Sequence, residues 1–95
     1  MTNCGVVKAF YNDEKSIESS TGNLWINQFG DKLYSYETCI AQKTDSGIIK
    51  NITHYSSSTS KHQGLIDKFT FYATNVPRNC KDLIKYIVKW MSTCM

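Results

Sequence analysis

The sequence predicts an α+β domain: an antiparallel meander sheet of four to five strands, with one or two C-terminal helices packed on one face. Three observations carry this. Turn residues recur roughly every ten positions through the first half of the chain, the spacing of a meander. The second half changes to apolar residues at helical spacing. The chain has 95 residues, enough for one core and not two. A single domain, 1–95, is therefore expected, with its strands in 4–55 and its helical part in 58–94.

Each element has a local reason. Cys4–Tyr11 is a β-rich run containing Val6, Val7, Phe10 and Tyr11. Asn12–Lys15 is a polar turn leading to a short strand at Ser16–Ser20, and Thr21-Gly22-Asn23 turns again. Leu24–Phe29 is the next strand, and Gly30-Asp31 connects it tightly to Leu33–Lys43, the longest one. After Thr44–Gly47, Ile48–Tyr55 returns. The Ser/Thr run from Ser56 to Ser60 supplies helix caps, because hydroxyl oxygens accept orphan amides. A helix over Ser60–Ala73 would place Leu65, Ile66, Phe69, Tyr72 and Ala73 on one arc, although Phe69–Tyr72 also suits a strand. Pro77 breaks the chain. The last helix, Cys80–Thr93, would gather Leu83, Ile84, Ile87, Val88, Trp90, Met91 and Cys94 on one side and Lys81, Lys85 and Lys89 on another.

Composition narrows the class. At 41% hydrophobic and 13% aromatic, the chain carries too many large apolar groups for disorder. No apolar run approaches the ~20 residues of a membrane helix. The start has no basic stretch followed by an apolar one, so no signal peptide and an intracellular location are expected. In a reducing compartment Cys4, Cys39, Cys80 and Cys94 read as free thiols, with Cys39 and Cys94 as buried packing groups. Without secretion, the glycosylation pattern Asn51-Ile52-Thr53 carries no meaning. A net charge of +3 permits nucleic acid or an acidic protein as partner and specifies neither.

Candidate chemistry is sparse. The helix start at Ser58, Ser60 and Lys61 would attract an anion; the blander reading is capping alone. His62 falls within the apolar arc, where a histidine is more often a buried hydrogen-bonding group than a base. Cys39, His54, His62 and Cys80 lack metal-ligand spacing, so no metal or other cofactor is expected. No nucleophile motif, P-loop or HExxH is present, and no catalytic residue is assigned. Tyr34 and Tyr36 alternate on the long strand and would share a face. They could stack bases, or form an aromatic row beneath the helices. Lys81, Lys85 and Lys89 form a ridge that could track phosphates or simply keep the surface solvated.

Ser35, Tyr36, Thr38, Ile40 and Ala41, followed by Tyr55, Ser58, Thr59, Ser60, Lys61 and His62, spell SYxTxIA and a Ser/Thr-rich entry into Lys-His. This pattern resembles a family of small uncharacterised phage and plasmid proteins and covers about a third of the chain. The resemblance implies a mobile-element origin. Small proteins of that origin without catalytic motifs are often inhibitors of host defence, anti-CRISPR proteins among them. The expected function is thus a non-enzymatic binding protein in the host cytoplasm. Its partner would be a host defence protein or its nucleic acid, with Lys81, Lys85, Lys89, Tyr34 and Tyr36 as the contact residues. The alternative is a small nucleic-acid-binding or regulatory protein using the same lysines on phosphates.

Overall fold

The chain opens with a helix where the β-branched run predicts a strand. The computed structural model describes residues 1–90. In α1 (Asn3–Tyr11), the Thr2 hydroxyl accepts a hydrogen bond from the Gly5 amide at 3.0 Å, which caps an orphan donor. Val6, Val7, Ala9 and Phe10 are buried and Lys8 is exposed. That spacing is one face of a helix. A strand would have put Lys8 on the same side as Val6 and Phe10. Burial of the helical face overrides the β propensity of Val6-Val7. The strand expected at Ser16–Ser20 reduces to a single bridge between Glu18 and Trp25.

Among the described residues six strands lie side by side in chain order: β1 (Leu24–Ile26), β2 (Lys32–Ser35), β3 (Thr38–Thr44), β4 (Gly47–Asn51), β5 (Phe71–Ala73) and β6 (Ile87–Trp90). The first four form the expected antiparallel meander. The predicted strand Leu33–Lys43 is in fact β2 and β3, joined at Tyr36-Glu37 with Ser35 opposite Thr38. β5 runs parallel to β4 and antiparallel to β6, so the sheet is mixed. A parallel pair requires a crossover, and α2 (Ser57–Gln63) lies within it.

The second half departs furthest from the sequence reading. α2 begins at Ser57, not Ser60, and gives way at Gly64. The phenylalanine-rich stretch beyond becomes β5, the strand alternative. The final helix is absent. A short 3₁₀ turn, Ile84–Tyr86, leads into β6. Ile87-Val88 is β-branched and suits a strand, and pairing there satisfies the outer edge of β5. Of the predicted apolar arc, Leu83 is buried, whereas Ile84 and Val88 are 51% and 56% exposed. Among the described residues the α-helices therefore sit at the start and in the middle of the chain. The expectation for Cys94, and for the helix beyond Trp90, lies outside the described residues.

Both faces of the sheet are covered, not one. The register slips between Leu33 and Tyr34, which face Ala41 and Cys39. Ile40 is the extra residue of a bulge, so Ile40 and Ala41 both join the first face. There they meet Val6, Phe10, Leu24, Ile26, Leu33 and Ile66. The opposite face carries Tyr34, Cys39, Ile49, Phe71 and Ala73, covered by Val76 and Leu83. The covering loop is pinned where the Leu83 amide donates to Gln42 Oε1 at 2.7 Å.

The crossover is held by Asn51, which is fully buried. Its Nδ2 donates to the Cys39 carbonyl and to Tyr55 Oη, both at 2.9 Å, and its Oδ1 accepts from the Thr53 amide at 2.9 Å. Gln63 Nε2 donates to the Asn51 and Thr53 carbonyls at 2.7 and 2.9 Å, tying α2 to the same point. The side chain of the apparent glycosylation site is thus fully engaged inside the fold.

Gly47 opens β4 at φ 139°, and a Cβ there would lie 2.6 Å from Thr70 Cβ. Gly47→Ala is expected to cost roughly 2–4 kcal/mol, combining backbone strain and overpacking. Thr70→Gly in the same chain should recover part of it. Thermal unfolding of the single and double variants checks this, and additive losses would show that the two sites do not collide.

Candidate functional site

The residues that stand out are arranged around β2. At its start, Asn27 builds a rigid turn. Asn27 Oδ1 accepts from the amides of Asp31 and Lys32 at 3.1 and 3.2 Å, and Nδ2 donates to Asp31 Oδ1 at 2.7 Å. Gly30 closes the turn at φ 76°, a conformation open to glycine. This turn holds Phe29 outward, 69% exposed. At the other end of β2, Tyr36 and Glu37 make a two-residue hairpin. Tyr36 sits at φ 58°, in the position where such turns favour glycine. Its carbonyl accepts from Trp25 Nε1 at 2.8 Å, and its ring lies 6.1 Å from that of His62.

Between the two turns, Trp25 and Tyr34 are cross-strand partners and stack with ring centroids 4.3 Å apart at 13°. Desolvation by burial, with smaller contributions from the Cys39 thiol and the Asp31 carboxylate, pushes the Tyr34 phenol up to about 12. It therefore remains neutral. Two adjoining clefts share this pair. One, of about 290 Å³, is lined by Trp25, Tyr34, Glu37, Asn79 and Lys81. The other, of about 400 Å³, runs from Trp25, Tyr34 and Lys81 to Gln28, Phe29 and Lys32. A third, of about 490 Å³, is lined by Tyr36, Glu37, Thr38, Ser56, Thr59 and Arg78. Shared walls at Trp25, Tyr34, Lys81 and Glu37 make them one groove. Among the described residues, Arg78, Lys81 and Glu37 have no ion-pair partner; the ion pairs are Lys32–Asp31 and Lys43–Asp13.

Of the residues singled out from sequence, the fold brings Tyr34 and Lys81 together. Tyr36 does not share the strand of Tyr34, because the hairpin turns there. It reaches the groove from the turn. The lysine ridge dissolves with its helix: Lys81 lies in the covering loop, Lys85 in the 3₁₀ turn, and Lys89 in β6, opposite Tyr72. Ser58 lies in the first turn of α2, whereas Ser60 and Lys61 lie further along it. α2 is capped by Ser56, whose Oγ accepts from the Thr59 amide at 3.3 Å, while Ser60 Oγ approaches His54 Nδ1 at 3.4 Å. Trp25, Phe29, Glu37 and Arg78 were not marked as site residues by the sequence. The available signal was Phe29, a large aromatic set among the turn residues Asn27, Gln28, Gly30 and Asp31.

His62 and Ser35 share a 2.6 Å hydrogen bond, with Thr59 Oγ1 3.3 Å from Ser35 Oγ. A serine–histidine pair suggests a nucleophile and its base, but Ser35 is 0% exposed. The pair fastens α2 to β2. Burial pushes the His62 imidazole below its ordinary range, so the fold holds it neutral. The unfolded chain takes up a proton as pH falls through about 6.5. The contribution is therefore complete above about pH 6.5 and is lost as pH falls from there toward the lower native value. Melting temperatures between about pH 7.5 and 5 should fall more steeply for the wild type than for His62→Gln. Parallel curves would overturn this.

Cys39 donates to the Ala41 carbonyl at 3.4 Å and Cys80 to the Asp82 carbonyl at 3.3 Å, each as a free thiol. Desolvation pushes the Cys39 thiol up to about 12. Among the described residues no three His, Cys, Asp or Glu side chains gather to hold a metal, and no helix is long and apolar enough to cross a membrane.

No curated protein and no solved structure matches the chain. Residues 6–85 do match DUF8033, a family of unknown function, and the stretch takes in most of α1, the sheet as far as β5, and every residue lining the groove; the chain belongs to that family.

Proposed function

We propose that this protein is a non-enzymatic binding module that acts by covering a macromolecular partner with the groove around β2. The observation that carries the reading is Tyr36. A bulky residue held at φ 58° on an exposed turn costs roughly 1–2 kcal/mol, and strain of this kind collects at functional sites. Phe29 supports it, since a phenylalanine 69% exposed on a rigid turn contributes little to folding. The resemblance to phage and plasmid proteins supports the biological setting: a mobile-element-encoded inhibitor of a host defence complex, such as a CRISPR–Cas nuclease, working in the host cytoplasm.

The test is expression of the chain in cells that carry an active nuclease defence, scored by survival of an invading phage. The wild type should raise survival. Tyr36→Gly should fold at least as stably, because glycine relaxes the turn, and should lose protection. Charge reversal at Lys81 should act in the same direction. Full protection by both variants would remove the groove from the mechanism. No protection by the wild type across a panel of defences would remove the inhibitor reading.

A further inference from the structure

We infer that the groove takes a short stretch of single-stranded nucleic acid, and that Glu37 selects guanine within it. The inference rests on the groove being the partner surface. Three features point to this ligand together. The first is aromatic. Phe29 is 69% exposed, and Trp25, stacked on Tyr34, is partly buried and lines two clefts. Rings of this kind accept the faces of unpaired bases. A duplex hides those faces, so a single strand is required. The second is charge. Lys81 and Arg78 flank the aromatic floor and have no ion-pair partner among the described residues. An anionic backbone supplies the missing charge.

The third is Glu37, which lines both the Lys81 cleft and the Arg78 cleft and whose side chain makes no hydrogen bond or ion pair among the described residues. A carboxylate would repel phosphates, so its complement is a base edge. A carboxylate accepts hydrogen bonds through two oxygens. Guanine presents two adjacent N–H donors on its Watson–Crick edge, N1–H and the N2 amino group. Adenine and cytosine set an acceptor beside their amino group, and uracil or thymine flanks its one N–H with carbonyls. Guanine alone is matched at both positions.

Fluorescence anisotropy with labelled eight-nucleotide strands tests this, in DNA and RNA versions, each with or without one central guanine, beside a matched duplex. The wild type should prefer the single strand over the duplex by at least tenfold, and the guanine strand over its guanine-free counterpart. Phe29→Ala should weaken binding about five- to hundredfold, the range of one lost base stack. Lys81→Glu and Arg78→Glu should each lower the salt slope by about one. Glu37→Gln should abolish the guanine preference and leave the salt slope unchanged. Lys8→Glu, on the exposed side of α1, is the control. A loss there equal to that of Lys81→Glu would mean binding by net charge alone and would overturn the inference. So would equal binding of duplex and single strand, or a guanine preference that survives Glu37→Gln. If no strand binds while groove variants still lose protection in cells, this inference falls, and the groove reading stands with a protein partner. If groove variants keep protection, the groove reading itself falls.

Discussion

Asn51→Ala is expected to lower stability by about 3 kcal/mol. The side chain is fully buried and engages three partners from two parts of the chain: the Cys39 carbonyl in β3, and the Thr53 amide and Tyr55 Oη in the crossover. Alanine leaves the buried Cys39 carbonyl and the partly buried Thr53 and Tyr55 groups without that partner. A buried polar group left unsatisfied costs about 1–3 kcal/mol, far more than the net worth of a satisfied bond. Tyr55 keeps one further bond, donating to the Val76 carbonyl at 2.7 Å, so the three losses do not reach their full sum. For a domain of this size, about 3 kcal/mol lowers the melting temperature by roughly 12–24 °C. Asn51→Asp preserves the shape but removes the Nδ2 donor and buries a charge, and should be at least as damaging. Urea denaturation of both variants checks the order. A loss below about 1 kcal/mol for Asn51→Ala would show that the crossover holds without its central amide.

Phe10→Ala should cost about 3–5 kcal/mol, the range for emptying a buried phenylalanine site. Phe10 is 0% exposed and anchors α1 among Leu24, Ile26, Leu33 and Ile40. Lys43 Nζ lies 4.6 Å from the centre of its ring and reaches on to Asp13 at 2.6 Å. The ring thus joins α1 to β3 through both packing and a cation over its face. Phe10→Leu retains most of the volume and loses the aromatic face, so its cost should stay near 1 kcal/mol. Equal losses for the two substitutions would make the ring face, rather than the filled space, the principal term.

The parts of the fold legible in the sequence are those governed by local chemistry. The turns at Gly22, Gly30 and Gly47 adopt positive φ and mark their connections correctly. The meander from β1 to β4 follows from them. The burial and hydrogen bonding of His62 follow from its place among apolar residues. In the groove, Tyr34 was legible as one of two tyrosines alternating on a strand, and Lys81 only as the first lysine of a ridge on a helix that gives way to a 3₁₀ turn and β6.

The remainder turned on partners distant in sequence. Val6-Val7 has the local preference of a strand, yet α1 forms because Val6, Val7, Ala9 and Phe10 can be buried together only on a helix. Leu83–Val88 has the spacing of an amphipathic helix, yet it supplies β6, because β5 offers an edge whose backbone groups need pairing. A bulge at Ile40 reverses which side later residues face, and no periodicity announces it.

The sequence by itself determined that this is one α+β domain, that much of its sheet is an antiparallel meander, and that the chain turns at Gly22, Gly30 and Gly47. Those properties reside in glycine conformations, alternating side chains and chain length. The tertiary structure alone decided that the sheet has six strands with a parallel crossover, and that Phe29, Trp25, Glu37, Arg78 and Lys81 line one groove. The physical reason is the same for both: strand pairing and groove lining depend on backbone and side-chain groups far apart in the chain, which become neighbours only when the sheet closes around them.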